Sequence, residues 1–157
     1  MTNPGDPFEG WDCTGCSCPG DTDQCDPCSW TPGSGEVSVQ VTPGIFYGQL
    51  RYAVWYSSPE DIHAFHISFT GGNIINAYGG DAGYGGAGWS ISQSATAIGS
   101  SGYDMLGNQM PAVPAGCGIL VWIEGDPGTI DVATFYDTSG GFGGSSYSTN
   151  IETCVAP

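Results

Sequence analysis

The sequence predicts an all-β fold, an antiparallel β-sandwich or jelly roll carrying an irregular cysteine-rich N-terminal arm, and three observations point there. Apolar and polar residues alternate over short stretches, the period-two signature of half-buried strands. Clusters of Gly, Pro, Asp and Ser separate those stretches at short intervals. Helix-favouring Lys, Arg, Leu and Glu are scarce, while Thr, Val, Ile, Tyr and Trp are common. At 157 residues the chain has the length of one domain. It divides into an arm and linker at 1–35 and a sandwich at 36–157.

The arm holds five cysteines, five prolines and six acidic residues with almost no aliphatic ones. It cannot bury a core of its own, so cross-links or docking must order it. Thr31 to Gly35 reads as a linker. The β pattern begins at Glu36, where Val37, Val39 and Val41 alternate with Ser38 and Gln40. Pro43-Gly44 is expected to turn the chain. From Gln49, Leu50, Tyr52, Val54 and Tyr56 share one face, with Arg51 and Trp55 on the other, where the guanidinium can lie against the indole.

The stretch from Asp61 to Gly80 should be the spine. Phe65, Ile67 and Phe69 fall on one face, and Ile74, Ile75 and Tyr78 resume the pattern after Gly71-Gly72. A glycine-rich loop runs from Gly79 to Gly88, followed by expected strands over 89–92 and 95–98. After a turn-rich segment, Gly118 to Glu124 is the most apolar run and is expected mid-sheet, with Trp89 and Trp122 capping the core. Asp126-Pro127-Gly128 is a turn, Thr129 to Tyr136 another strand, and 140–148 a Gly/Ser/aromatic loop. Asn150 to Cys154 can close the sheet. The count is eight or nine strands.

The order of these motifs resembles a cohesin-like, carbohydrate-binding-module-like β-sandwich repeat of marine viral and microbial surface proteins. The residues that carry the likeness are Asp61-Ile62 with Phe65-His66-Ile67, Gly79-Gly80-Asp81-Ala82, Gly88 to Ser92, Thr96 to Gly99, and Val113 to Val121. They span about half of the sandwich. The resemblance implies a nine-stranded sandwich used for assembly or adhesion, and it supplies no catalytic residues.

Charge excludes whole classes of partner. Sixteen acidic residues face a single basic one, Arg51, for a net charge of −15. No basic patch can form to neutralise nucleic-acid phosphates or anionic lipid. No window approaches the roughly 20 apolar residues that span a bilayer, so membrane insertion is not expected. The segment after Met1 does not read as a signal peptide. An extracellular composition without an export signal is what a virion protein, made in the cytosol and released by lysis, would show; a processed mature chain would show it too, although Met1 argues against processing.

Cysteine chemistry leaves alternatives open. Cys13, Cys16, Cys25 and Cys28 form a paired CxxC, with Cys18 between them. Two such knuckles can deliver four thiolates to Zn²⁺, or the same residues can form disulfides in an arm lacking a core. Cys117 and Cys154 flank the last strands and are candidates for a staple. Seven is odd, so one thiol is left free or bonds to another chain. Asp21, Asp23 and Asp26 open like a Ca²⁺ loop, but Cys25 takes a ligand position and no glutamate closes it. Zn²⁺ and Ca²⁺ are thus the only cofactor candidates, and neither is required.

No catalytic constellation emerges. His63 and His66 lie three apart in a strand and so point to opposite faces. No GxSxG frame occurs, and no pair of acids sits in a glycosidase context. The expectation is a non-enzyme. Tyr84 and Phe142 on glycine-rich loops, with Trp55 and Arg51, are the interface candidates. The expected role is a structural subunit of an extracellular assembly, a virion decoration, cement or fibre protein that contacts itself or other capsid subunits. A cell-surface filament or adhesin subunit, or a glycan-binding module, is the alternative.

Overall fold

The computed structural model describes residues 11–13, 28, 30–46, 49–138 and 145–152. Among the described residues there are ten strands: β1 (Trp11–Cys13), β2 (Glu36–Phe46), β3 (Gln49–Ser58), β4 (Ala64–Gly71), β5 (Asn76–Tyr78), β6 (Ser92–Gln93), β7 (Ala97–Ser100), β8 (Gly116–Glu124), β9 (Gly128–Tyr136) and β10 (Ser148–Ile151). They form two packed sheets. One runs β1-β2-β3-β8-β5, with β10 also on β2; the other runs β6-β7-β4-β9. All pairings are antiparallel except β10 with β2. An all-β sandwich is therefore the fold.

Alternation drives the assembly. Val37 and Val39 of β2, Val54 and Tyr56 of β3, and Phe65, Ile67 and Phe69 of β4 all enter one core between the sheets. Ile98 of β7 and Phe135 of β9 complete it, and the Phe65 ring lies 6.3 Å from Trp89 and 6.4 Å from Phe135. Each such side chain removed from water contributes roughly 1.5–3 kcal/mol. The stretch from 61 to 80 does supply the spine, since β4 is the inner strand that joins β7 to β9. His66 on its outer face is exposed.

Several local expectations are corrected. Pro43-Gly44 does not turn the chain; β2 continues to Phe46 and reverses before Gln49. On the outer side of β2, β10 covers 36–39 and β1 covers 44–46. Pro43, which has no N–H to donate, falls in the gap between those partners, where a strand tolerates proline. The expected strand over 89–92 is mostly irregular, and only Ser92–Gln93 pairs. Trp89 is still buried in the core, its Nε1–H donating to the Pro111 carbonyl at 2.8 Å.

Parity also fails in β8, which is mid-sheet as expected. The register steps from Val54↔Val121 to Trp55↔Ile119, leaving Leu120 as a bulge residue. Leu120 and Val121 consequently both enter the core. Trp122 is turned outward and does not cap that core. It packs with Trp30 and Ile119 around Ala53 and the fully buried Trp55, in a second cluster.

The second cluster lies on the outer face of the six-stranded sheet, and arm residues reach it. Cys28 forms a disulfide with Cys117 at the start of β8, with Cα atoms 5.2 Å apart. This rules out the expected Cys117–Cys154 staple, because the single sulfur of Cys117 is taken by Cys28. A sulfur held in a disulfide offers no thiolate, so Cys28 also leaves the four-thiolate zinc set. Cys16, Cys18, Cys25, Cys154, the side chain of Cys13, and Asp21, Asp23 and Asp26 lie outside the described residues, as does Phe142.

Candidate interface at the loop end of the sandwich

Two loops carry the three most exposed large hydrophobic side chains among the described residues. The first, 79–88, leaves β5 and folds back on β8. Gly80 makes this possible: its φ is +69°, and a Cβ there would stand 2.4 Å from the Leu120 carbonyl oxygen. Asp81 and Ala82 then donate their N–H groups to the Ile119 and Leu120 carbonyls at 2.8 and 3.1 Å. Tyr56 donates its hydroxyl to Asp81 Oδ2 at 2.6 Å. Burial, then this bond and the Asp81 charge, push the Tyr56 hydroxyl pKa far up, so it remains a donor. The loop is thus pinned at its base, and Tyr84 projects from its far side, 96% exposed.

The second loop spans 103–109 and is closed by the Tyr103↔Gln109 bridge. Asp104 organises it from within. Its Oδ1 accepts from the backbone N–H of Leu106 (2.9 Å) and Asn108 (2.8 Å), and its Oδ2 accepts from Asn108 Nδ2 (3.1 Å). The Asn108 bonds come first among the interactions that lower the Asp104 pKa below its ordinary value. This self-bonded turn holds Met105 and Leu106 at its tip, 90% and 87% exposed.

The loops are tied together. Ser90 donates its N–H to the Tyr103 carbonyl at 2.9 Å. Between them lies a cleft of about 250 Å³ lined by Tyr78, Tyr84, Trp89, Ile91 and Met105. Behind it sits the single basic side chain. Arg51 Nε donates to Tyr78 Oη at 2.6 Å, and its guanidinium also reaches Gln49 Oε1 and lies 3.7 Å from Glu124 Oε1.

Each interface candidate can now be placed. Tyr84 is on the surface, as expected. Arg51 is half-buried and directed at Tyr78 and Glu124; Trp55 lies four strand positions away, about 13 Å. Trp55 is no interface residue: it is fully buried, with its Nε1–H donating to Thr42 Oγ1 at 2.6 Å. Met105 and Leu106 were missed because a lone Met-Leu pair in a turn-rich segment shows no period. The readable signal was Asp104 with Asn108 around it, an Asx-type turn that must face outward.

Among the described residues, no group of three or more His, Cys, Asp and Glu side chains is placed to hold a metal ion. Two acids at strand ends are locally engaged. Asp61 Oδ1 accepts from Ala115 N–H at 2.9 Å, and Asp126 Oδ1 accepts from Gly128 N–H at 2.8 Å. No helix among them is long and apolar enough to cross a membrane. Compared with protein-family models, curated proteins and solved structures, the chain has no match.

Proposed function

We propose that this chain is a structural subunit of an extracellular assembly, a virion decoration, cement or fibre protein that works through protein–protein contacts. The observation that carries the reading is the presentation of Tyr84, Met105 and Leu106 to solvent on two loops held by internal hydrogen bonds. Large exposed apolar side chains around a cleft mark a contact surface, and fixed loops lose little freedom on docking. A net charge of −15 suppresses nonspecific association, so recognition falls to this patch. The likeness to cohesin-like repeats favours the same role.

Sedimentation velocity across a concentration series tests it. The wild-type chain should self-associate, and Met105→Asp should abolish association without changing the melting temperature. Asp104→Ala, which unties the loop but keeps both aliphatic side chains, should weaken it. A wild-type chain that stays monomeric at every concentration, or one whose association ignores both substitutions, overturns self-assembly through this surface.

A further inference from the structure

The loop surface carries a hollow and a knob side by side. The hollow is the cleft of about 250 Å³, walled by Tyr78, Tyr84, Trp89, Ile91 and Met105, with no charged residue in its lining. The knob is the tip of the second loop, where Met105 and Leu106 are 90% and 87% exposed. Leu106 does not line the hollow of its own chain. It is also held in place, because its N–H is bonded to Asp104 Oδ1 at 2.9 Å. An aliphatic tip and an aromatic-walled hollow therefore match in chemistry but do not meet within one molecule.

Charge restricts where two copies can touch. Each carries −15, so their repulsion must be outweighed by a contact that is locally uncharged. The hollow meets that condition. The two nearest acids are already bonded within their own chain: Asp104 accepts from Leu106 and Asn108, and Asp81 accepts from the Tyr56 hydroxyl. Area then decides the symmetry. With a ring counted at about 150–250 Å² and a Met or Leu at about 100 Å², Tyr84, Met105 and Leu106 supply about 400 Å² per copy. Used on both copies they supply about 800 Å² before the cleft walls are added, close to the roughly 1,000 Å² of a specific interface. A one-way contact, the knob of one copy in the hollow of the next, engages about half of that and falls short.

We infer that two copies pair about a two-fold axis, with the Met105–Leu106 tip of each seated in the Tyr78–Tyr84–Ile91 hollow of the other. Because knob and hollow are neighbours on one surface, a face-to-face rotation engages both at once. Each copy then completes the other's site, which is the isologous arrangement. It occupies the whole surface and leaves none for a third copy, so the unit is a closed dimer and not a growing chain. The inference rests on the assembly reading and deepens it, by naming the occupant of the cleft and by limiting self-association through it to two copies.

Sedimentation equilibrium of the full chain should fit monomer and dimer with no larger species. Leu106→Ser in the knob and Tyr84→Ser in the hollow should each weaken the dimer about a hundredfold, because every pair then carries the lesion twice at about tenfold or more apiece. Both positions are almost fully exposed, so melting temperatures should match wild type. The two variants are then mixed, one of them bearing a fluorescent tag. The mixed pair keeps one contact intact and places both lesions in the other, where losing knob and wall together costs little more than losing either. It should therefore associate about tenfold more tightly than the geometric mean of the two variants alone. A wild-type chain that stays monomeric overturns this inference together with the assembly reading. Association that passes beyond two copies and is still abolished by Met105→Asp overturns the inference alone. So does a mixed pair no tighter than that mean, which would show each loop resting on its own counterpart and not in the hollow.

Discussion

The two sheets turn contrasting outer faces away from their common core. On the six-stranded sheet that face is shut. Ser38, Gln40, Thr42, Ala53 and Trp55 are buried there, Trp30 packs over the indoles, and the Cys28–Cys117 bond holds the arm in place. On the four-stranded sheet the corresponding face is bare: His66 and Val132 are exposed, and Ala97 and Gly99 floor a groove. Outward-pointing side chains in a sandwich are normally solvated. Of the described residues, Cys28 and Trp30 mark the difference. Trp30 packs against the cluster of Ala53 and Trp55, and Cys28 is bonded to Cys117 beside it. An outward tryptophan is therefore a poor sign of an exposed surface in this chain.

The largest expected effect separates the faces by the latch. Cys28→Ser, or reduction of the bridge, should lower stability by about 4–5 kcal/mol, the loop-closure value for a separation of 89 residues. Urea unfolding with and without a dithiol would show it, as would a red shift of tryptophan emission as Trp55 and Trp122 meet water. An unshifted midpoint would mean that the arm does not seal the face. Next, Trp55→Ala should cost roughly 3–5 kcal/mol, the value of a core aromatic, while Val132→Ala on the bare face should stay within about 0.5 kcal/mol. Equal losses at the two positions would erase the contrast. A smaller gain concerns Gln40, whose buried Oε1 has no hydrogen-bond partner among the described residues. Gln40→Met should raise stability by up to about 1 kcal/mol, because an unpaired buried acceptor is removed; a clear loss would place a polar partner on the closed face.

Alternation made the inner face legible. Val37 and Val39, Phe65, Ile67 and Phe69, and the exposed His66 stand where a period of two puts them, because hydrophobic burial on one sheet face fixes register. Legibility ended at interruptions of the period. The bulge at Leu120 turned Leu120 inward and Ile119 outward, and Pro43 sat inside a strand whose outer partners leave it a gap. Of the loop surface, Tyr84 could be read from the glycines around it, whereas Met105 and Leu106 depended on a turn made by Asp104. Nothing in the spacing of Ser92, Gly99 and Tyr136 announces a groove, since they come from three strands separated along the chain.

The sequence by itself determined the all-β class, and it carried the expectations of a coreless arm and of no polyanionic partner. These follow from composition and period, which are local and survive any arrangement of strands. Tertiary structure alone decided that Cys28 pairs with Cys117, that Trp55 is interior, and which loops and small residues share a surface. Those facts depend on contacts between distant segments. Either face of a strand can be covered or left bare without changing a single local preference.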